Sequence, residues 1–308
     1  MIEFNPASDM KYIYPVLVGF MILEYILAKK NYTMKDSLAG FGIAAGASVV
    51  AAFTKVFTVL VVFQWVFDFF EPFRLEYLSY SSIGWAWWIW VLCIVCDDFN
   101  FYWHHRFSHT IRVLWAAHLP HHSSNNYNMA VSIRNGWFVS FYKPMFWLWM
   151  AAVGFEPIMI GYAMIVNGTY QYFLHTQLVK SLGVFGKIFN NPYVHQAHHS
   201  SNPEYLDKNH GGILMIWDHL FGTYQDILPE VKPKYGIIKD AGTFNPIRLN
   251  THEFQAIFKD VRKAKSIKEA WMYIFGQPGW SPDGSSQTVK EIQAEMINQK
   301  PELISEVA

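Results

Sequence analysis

The sequence Asp98-Phe-Asn-Phe-Tyr-Trp-His-His-Arg-Phe-Ser-His109 lies where an apolar stretch, residues 83–103, gives way to histidines. His105 and His109 are four residues apart, so on a helix their side chains leave the same face. Asp98 lies two turns before His105 on that face and could orient a metal-ligating imidazole. The stretch therefore predicts a helix that leaves an apolar environment and ends in metal-binding side chains.

Two further histidine clusters follow, and they share a pattern. His118-Leu-Pro-His121-His122 and His195-Gln-Ala-His198-His199 both continue with Ser-Ser-Asn, so the chain contains a short internal echo. The spacing lets each cluster offer two or three imidazoles to one point. His175 lies between the clusters, and Gln171, four residues earlier, is a candidate weak or indirect ligand.

Nine candidate imidazoles are too many for one metal ion, because protein metal sites use four to six ligands. They suit two ions that share a cavity, and imidazole is a good ligand for iron, zinc, copper and nickel. The pattern differs from the carboxylate-rich sites of ferritin-like proteins. It also lacks the His-Glu-x-x-His of zinc proteases.

The remaining histidines and the two cysteines have weaker claims to a role. His104 points about 100° away from His105 on a helix, so we do not expect it to be a ligand. We expect His210, His219 and His252 to be surface groups or indirect contacts of the ligands, with His210 the least determined. Cys93 and Cys96 form a Cys-x-x-Cys inside an apolar stretch, which favours helix packing over redox chemistry.

The composition indicates a membrane protein. Apolar residues make up 52% of the chain and charged residues 16%, whereas soluble domains carry roughly 25% charge. The 24 basic and 24 acidic residues balance, which excludes a nucleic-acid partner held by a basic excess. Two cysteines exclude a disulfide scaffold. Residues 1–178 hold only 20 of the 48 charged side chains, so the apolar part of the chain comes first.

Five apolar stretches are each about 17–26 residues long, which is the length a helix needs to cross a bilayer; they are residues 12–28, 38–63, 83–103, 137–153 and 157–174. We therefore predict an all-α integral membrane protein with four to five membrane helices. The alternative is a soluble all-α protein whose apolar helices are buried. Glu24, Lys55 and Lys143 interrupt the stretches.

Loop charges predict the orientation, since cytoplasmic loops carry an excess of lysine and arginine. The first loop contains Lys29, Lys30 and Lys35, whereas residues 68–80 contain one arginine and three acids. This places every histidine cluster on the cytoplasmic face of a bacterial inner membrane or endoplasmic reticulum. We predict membrane helices in residues 1–82, a catalytic region in residues 83–230 and a cytoplasmic tail packed on it in residues 231–308.

These motifs resemble the fatty acid hydroxylase / sterol desaturase superfamily over about residues 90–226. The resemblance rests on the histidine clusters, on His175-Thr176 and on the run 207–223, Asp-Lys-Asn-His-Gly-Gly-Ile-Leu-Met-Ile-Trp-Asp-His-Leu-Phe-Gly-Thr. Within the superfamily the chain looks most like the alkylglycerol monooxygenase branch, through Tyr127-Asn128, Tyr170-Gln171 and Pro278-Gly279-Trp280. It departs from that pattern at Asn125, where an acid is expected, and at His210, where an aromatic residue is usual.

The resemblance implies a membrane-bound di-iron oxygenase that uses O2 to hydroxylate a C–H bond of a lipid, whether fatty acyl, ether lipid or sterol-like. It implies nine iron ligands: His105, His109, His118, His121, His122, His175, His195, His198 and His199. Asp98 and Gln171 would support them indirectly. Electrons would come from an external donor or reductase, and the branch implies tetrahydrobiopterin. The alternatives are a lipid desaturase on the same scaffold and a non-redox protein, such as a zinc-dependent membrane lipid hydrolase.

Overall fold

A computed structural model describes residues 6–299, apart from the side chains of residues 6–11, 55, 56, 59 and 60. Within this part the regular structure is helical, and only two isolated β-bridges occur, Phe189–Leu214 and Ser200–Tyr235. The all-α prediction is therefore confirmed for the described chain. The Lys55 side chain lies outside the described residues.

The α-helices follow one another with short connections. In chain order they are α1 Pro6–Leu27, α2 Met34–Phe57, α3 Gln64–Phe73, α4 Trp87–Thr110, α5 Arg112–His122, α6 Met129–Ser132, α7 Val139–Tyr142, α8 Leu148–Val153, α9 Pro157–Leu174, α10 Phe185–Ile188, α11 Pro192–His198, α12 Ile216–Leu220, α13 Pro246–Val261, α14 Ile267–Phe275 and α15 Val289–Gln299. Wider π-helical turns, Thr58–Phe63 and Arg74–Leu78, extend α2 and α3.

One helix of the described chain is long and apolar enough to cross a membrane by length and composition. It is the Met34–Thr54 part of α2, and Tyr12–Leu27 is a shorter apolar helix. The prediction of four to five membrane helices remains a prediction. The fourth apolar stretch, residues 137–153, is not one helix, since it divides into α7, a 3-10 turn over Lys143–Trp147 and α8. Pro144 explains the break, because proline lacks the N–H that a continuing α-helix needs.

The main apolar core lies where α3, α4, α8 and α9 meet. Phe67, Cys93, Trp147 and Met159 are buried together there. Cys93 thus packs against its neighbours, as the helix-packing interpretation predicts, and both cysteines are free thiols. The core fixes α4 against α9, and α4 carries the first candidate ligands of the chain while α9 leads into His175.

The C-terminal helix α13 packs against both α2 and α5. Leu249 of α13 is buried with Ala39 and Ile43 of α2. Arg112 at the start of α5 forms ion pairs of 2.8 Å with Glu253 and of 2.8 Å with Asp260 of α13. The C-terminal segment therefore braces the helix that carries the second histidine cluster.

Candidate metal centre

The structure brings the nine predicted histidines together as two compact sets. The first histidine group, drawn from α4, α5 and α11, has ligand atoms that all lie within 4.8 Å of one another; it comprises His105, His109, His118, His122 and His198. In it, the Nε2 atom of His118 lies 3.2 Å from the Nε2 atom of His105 and 3.2 Å from that of His122. Five imidazole edges thus face one small volume.

The second histidine group meets the same 4.8 Å limit and is buried throughout; it comprises His121, His175, His195 and His199. The Nε2 atom of His175 lies 3.2 Å from that of His121 and 3.1 Å from that of His199. The two groups adjoin, since the rings of His122 and His199 stack with centroids 4.3 Å apart.

The two echoing clusters each divide between the groups. His118 and His122 enter the first group and His121 the second, whereas His195 and His199 enter the second and His198 the first. In both clusters the residues four apart belong to one group and lie about 40° apart around a helix, whereas the third histidine lies about 60° from one of them and about 100° from the other. Each cluster therefore gives two imidazoles to one group and one imidazole to the other, and the two clusters do so in opposite senses.

Burial favours the neutral form of several of these imidazoles. It lowers the pKa of His121, His198 and His199 well below the ordinary value of 6.5, and neighbouring imidazoles lower the pKa further. Burial also lowers the pKa of His175 to about 4, against the opposing effect of its hydrogen bond to the Gln171 carbonyl. Only the neutral ring has a lone pair for a metal ion.

Several of the inward nitrogens have no hydrogen-bond partner among the described residues. They include Nε2 of His109 and Nε2 of His198, and neither ring nitrogen of His195 has a partner. A buried polar atom without a partner costs free energy. A cation in each group would give such lone pairs a partner, so the donor set fits two metal ions.

A short loop, residues 207–210, holds three rings of the first group from outside. The Nδ1–H of His198 donates to the Lys208 carbonyl at 2.8 Å, and the Nδ1–H of His105 donates to the His210 carbonyl at 2.9 Å. The Asp207 carboxylate lies 3.6 Å from Nδ1 of His109. A proton on Nδ1 leaves the lone pair on Nε2, so the 207–210 loop sets the tautomer that a metal requires.

Asn209 and Asp218 fix this loop in turn. The Asn209 side-chain amide donates to the Val194 carbonyl at 3.0 Å and to the Gln225 carbonyl at 2.7 Å, with its backbone in the left-handed region at φ 59°. Asp218 accepts hydrogen bonds from the backbone N–H groups of His210 and Gly211. Neither role was predicted from the sequence. The only sequence signal for Asn209 and Asp218 is that both lie in the run 207–223, which resembles the family.

Glu24 lies beside the second group, although in the sequence it stands out only as an interruption of an apolar stretch. Its carboxylate is 1% exposed and accepts hydrogen bonds from the Tyr32 hydroxyl, the Thr176 hydroxyl and the backbone N–H of Met129. Thr176 follows His175 directly. Glu24 therefore links α1 and the start of α6 to Thr176, next to the histidine that follows α9.

Gln171 and Asp98 contact the site differently from what the spacing predicts. The main-chain carbonyl of Gln171, not its side chain, accepts the hydrogen bond from Nδ1 of His175 at 2.8 Å. Asp98 was expected to orient an imidazole, but its carboxylate accepts from the backbone N–H groups of Ile213 and Leu214. Asp98 thus supports the segment that follows the 207–210 loop, because that segment folds back across α4.

The other histidines lie outside both groups. His104 packs among aromatic rings, stacked on Tyr142 with centroids 5.4 Å apart. His210 is fully buried, which excludes the surface position, and its main-chain carbonyl contacts His105 while its ring centroid lies 5.1 Å from that of His109. His219 is exposed and His252 is half-buried.

A buried ion pair supports the histidine cluster of α5, His118 to His122. Nη1 of Arg134 and Oδ1 of Asp36 lie 2.8 Å apart, and Arg134 is 1% exposed. The guanidinium also donates to the Pro120 carbonyl at 3.2 Å and to the Ser123 hydroxyl at 2.7 Å. Pro120 and Ser123 flank His121 and His122, so the ion pair positions histidines of both groups.

Comparison with known proteins places this geometry in context. Residues 90–223 match the family model described as fatty acid hydroxylase. The chain is 28% identical to human alkylglycerol monooxygenase, over 92% of this chain and 63% of that protein. It is 30% identical to the alkylglycerol monooxygenase of Xenopus tropicalis, over 88% of this chain and 58% of the relative.

A bacterial relative gives a shorter match. The ornithine lipid hydroxylase OlsE of Rhizobium tropici is 29% identical, over 48% of this chain and 47% of the relative. No solved structure gives a significant match. The chain spans about three fifths of the length of the two alkylglycerol monooxygenases.

Proposed function

The chain belongs to the fatty acid hydroxylase family, and from that premise we propose that it is a membrane-bound di-iron oxygenase that uses O2 to hydroxylate a C–H bond of a lipid. The family match and the similarity to alkylglycerol monooxygenases confirm the resemblance that the sequence predicted. The comparisons support membership of the family. The activity, the metal, its ligands and the lipid are proposals.

The observation that carries the proposal is the convergence of nine buried or half-buried imidazoles as two adjoining groups. Neutral imidazole suits iron and other borderline transition metals. We propose one iron ion in each group, with the nine histidines as ligands. Iron bound there would supply the activation of O2, which amino-acid side chains cannot perform.

The chain's own residues would position the metal ligands and exclude water. The 207–210 loop holds His105 and His198 with their lone pairs turned inward. Tyr127 is fully buried against His175 in the second group, and the ring of Trp115 packs against that of His109 in the first, with centroids 5.2 Å apart. Exclusion of water by such rings protects a reactive site from side reactions.

The lipid substrate is supported by the relatives and by the candidate membrane helix. The relatives are named for alkylglycerols and for ornithine lipids, which are both amphiphiles. An apolar substrate dissolved in a bilayer would reach a metal centre held at the membrane surface. We propose the cytoplasmic face, since Lys29, Lys30 and Lys35 adjoin the start of α2. The electrons would come from a separate donor, with tetrahydrobiopterin as the first to test.

Lipid mass spectrometry under ¹⁸O2, with and without the gene in the same cells, tests the proposal. We expect a hydroxylated lipid that carries ¹⁸O, and about two iron ions per purified chain. A double bond without ¹⁸O would indicate a desaturase. Turnover without O2 by a zinc-loaded protein would indicate a hydrolase and overturn the proposal.

A further inference from the structure

An apolar stripe lies exposed along the C-terminal helices α13 and α14. Ile267 is 91% exposed and Trp271 is 61% exposed, and with Phe275 they recur every four residues along one face of α14. On α13, Ile247 and Phe258 are exposed in the same way. Apolar side chains at helical spacing that face outward, and not into a core, mark a surface that contacts something else.

Cations surround this stripe. The exposed basic residues are Lys259, Arg262, Lys263, Lys265 and Lys268. The neighbouring acids are fewer than the cations: Glu253 and Asp260 both pair with Arg112, and Glu269 accepts from the backbone N–H of Lys265. Apolar side chains interleaved with an excess of cations are the pattern of an amphipathic helix at a membrane surface.

The start of α13 packs against the candidate membrane helix. Leu249 packs on Ala39 and Ile43 of α2, and the ring of Pro246 lies against Gly42. At 1.5 Å per residue, Ile43 lies about 14 Å along α2 from Met34. The first turn of α13, which carries the exposed Ile247, therefore lies against the half of the apolar helix that is nearer to the lysine-rich loop.

We infer that α13 and α14 dock on an anionic lipid surface, with Ile267 and Trp271 inserted among the lipids and the five cations at the phosphates. An acidic protein would meet the cations but would not require the exposed isoleucine and tryptophan, whereas a bilayer suits both. The docking has a structural consequence. The backbone N–H of Arg112 donates to the Gly276 carbonyl at 2.9 Å, so α14 is tied to α5 and holds its histidine cluster at a set height above the lipids.

Hydrogen exchange of the full-length protein in lipid nanodiscs tests this inference. One set of nanodiscs contains phosphatidylcholine and the other an equimolar mixture with phosphatidylglycerol. We expect the amides of residues 262–276 to exchange about tenfold more slowly on the anionic discs. The variant Lys263→Glu/Lys265→Glu/Lys268→Glu should lose this difference, and Ile267→Ser/Trp271→Ser should lose protection on both discs.

A matched variant controls for net charge. Lys232→Glu/Lys234→Glu/Lys290→Glu changes the charge equally at exposed residues outside α13 and α14 and should behave like the unaltered protein. Iron content, measured in parallel, reports on the fold of every variant and is independent of docking. Equal exchange on both discs would overturn the inference. Protection that rises with protein concentration in detergent would overturn it too, by assigning the surface to a second copy of the chain.

Discussion

The two histidine groups differ in what holds the outer nitrogens of their rings. In the first group, His105 and His198 donate to main-chain carbonyls of the 207–210 loop. In the second group, His175 donates to the Gln171 carbonyl, but Nδ1 of His121 and Nδ1 of His195 have no partner among the described residues. One group is thus oriented by a loop, and the other mainly by packing.

This difference implies that the two proposed metal positions should lose their ions separately. Carbonyls on one short loop keep fixed distances from each other, so they preset several rings at once. The rings of the second group depend on neighbours such as Tyr127, which stacks on His175 with centroids 5.7 Å apart. We therefore expect substitutions around the loop to release metal from the first group and leave the second loaded.

The largest effect should come from replacing a ligand in each group. His198 and His199 are adjacent in the chain but belong to different groups. We expect His198→Ala and His199→Ala each to lower iron by about one ion per chain and hydroxylation by roughly three orders of magnitude, since the two positions act as a unit. Elemental analysis and product formation measure the two effects.

The exposed His219 supplies the control for these variants. His219→Ala should keep both iron ions and normal activity, because its ring stacks on Tyr224 away from both groups. Loss of both ions from either ligand variant would contradict separate sites. A fully loaded His198→Ala protein would remove that residue from the ligand set.

The second largest effect should come from breaking the ion pair between Arg134 and Asp36, which supports histidines of both groups. Arg134→Ala would leave the Asp36 carboxylate buried without its partner, which costs about 3–5 kcal/mol of unfolding free energy. Denaturant unfolding measures this loss, and a double-mutant cycle with Asp36→Asn isolates the pair. If Arg134→Ala released iron from only one group, the pair would not be the shared support of the second histidine cluster.

The histidine sets could be predicted from the amino-acid sequence because their spacing is local. Residues four apart share a helix face wherever the helix lies, so His105 pairs with His109 and His118 with His122 on spacing alone. The division of each echoing cluster between the groups could not be predicted. It depends on how α5 and α11 approach each other, which no local pattern encodes.

The supports of the site escaped prediction for a related reason. Asn209 and Glu24 act through main-chain atoms and hydroxyls far away in the chain, such as the Gln225 carbonyl and Thr176. Asp98 shows the opposite error, since its register on α4 predicted an imidazole partner and the segment after residue 210 occupies that place instead. Helical spacing fixes directions, and only tertiary packing decides which atoms meet.

A moderate effect confined to the first group should follow from Asn209→Ala. The change removes the hydrogen bonds that hold the 207–210 loop and forces alanine into the left-handed region. We expect about 10–100-fold weaker metal binding in the first group and no change in the second. Asn209→Gly keeps the backbone unstrained and should lose less, and chelator titration of iron from both variants measures the difference. Equal loss from the two groups would argue against the loop as a support of one.

The smallest effect should follow from Glu24→Gln, which tests the second group. Three donors point at this carboxylate, so an amide would place its own N–H groups against one of them. The loss of one buried hydrogen bond costs about 1–3 kcal/mol. Only part of this free energy affects metal binding by His175, because Glu24 contacts the neighbouring Thr176 and not His175 itself. We therefore expect a several-fold rise in the iron dissociation constant of the second group alone.

The variant Thr176→Val removes the hydroxyl but keeps the shape of the side chain. It should match Glu24→Gln in metal release but unfold at a higher denaturant concentration, since Glu24 also binds Tyr32 and Met129. Release of iron from the first group by either variant would show that the two groups share their supports after all.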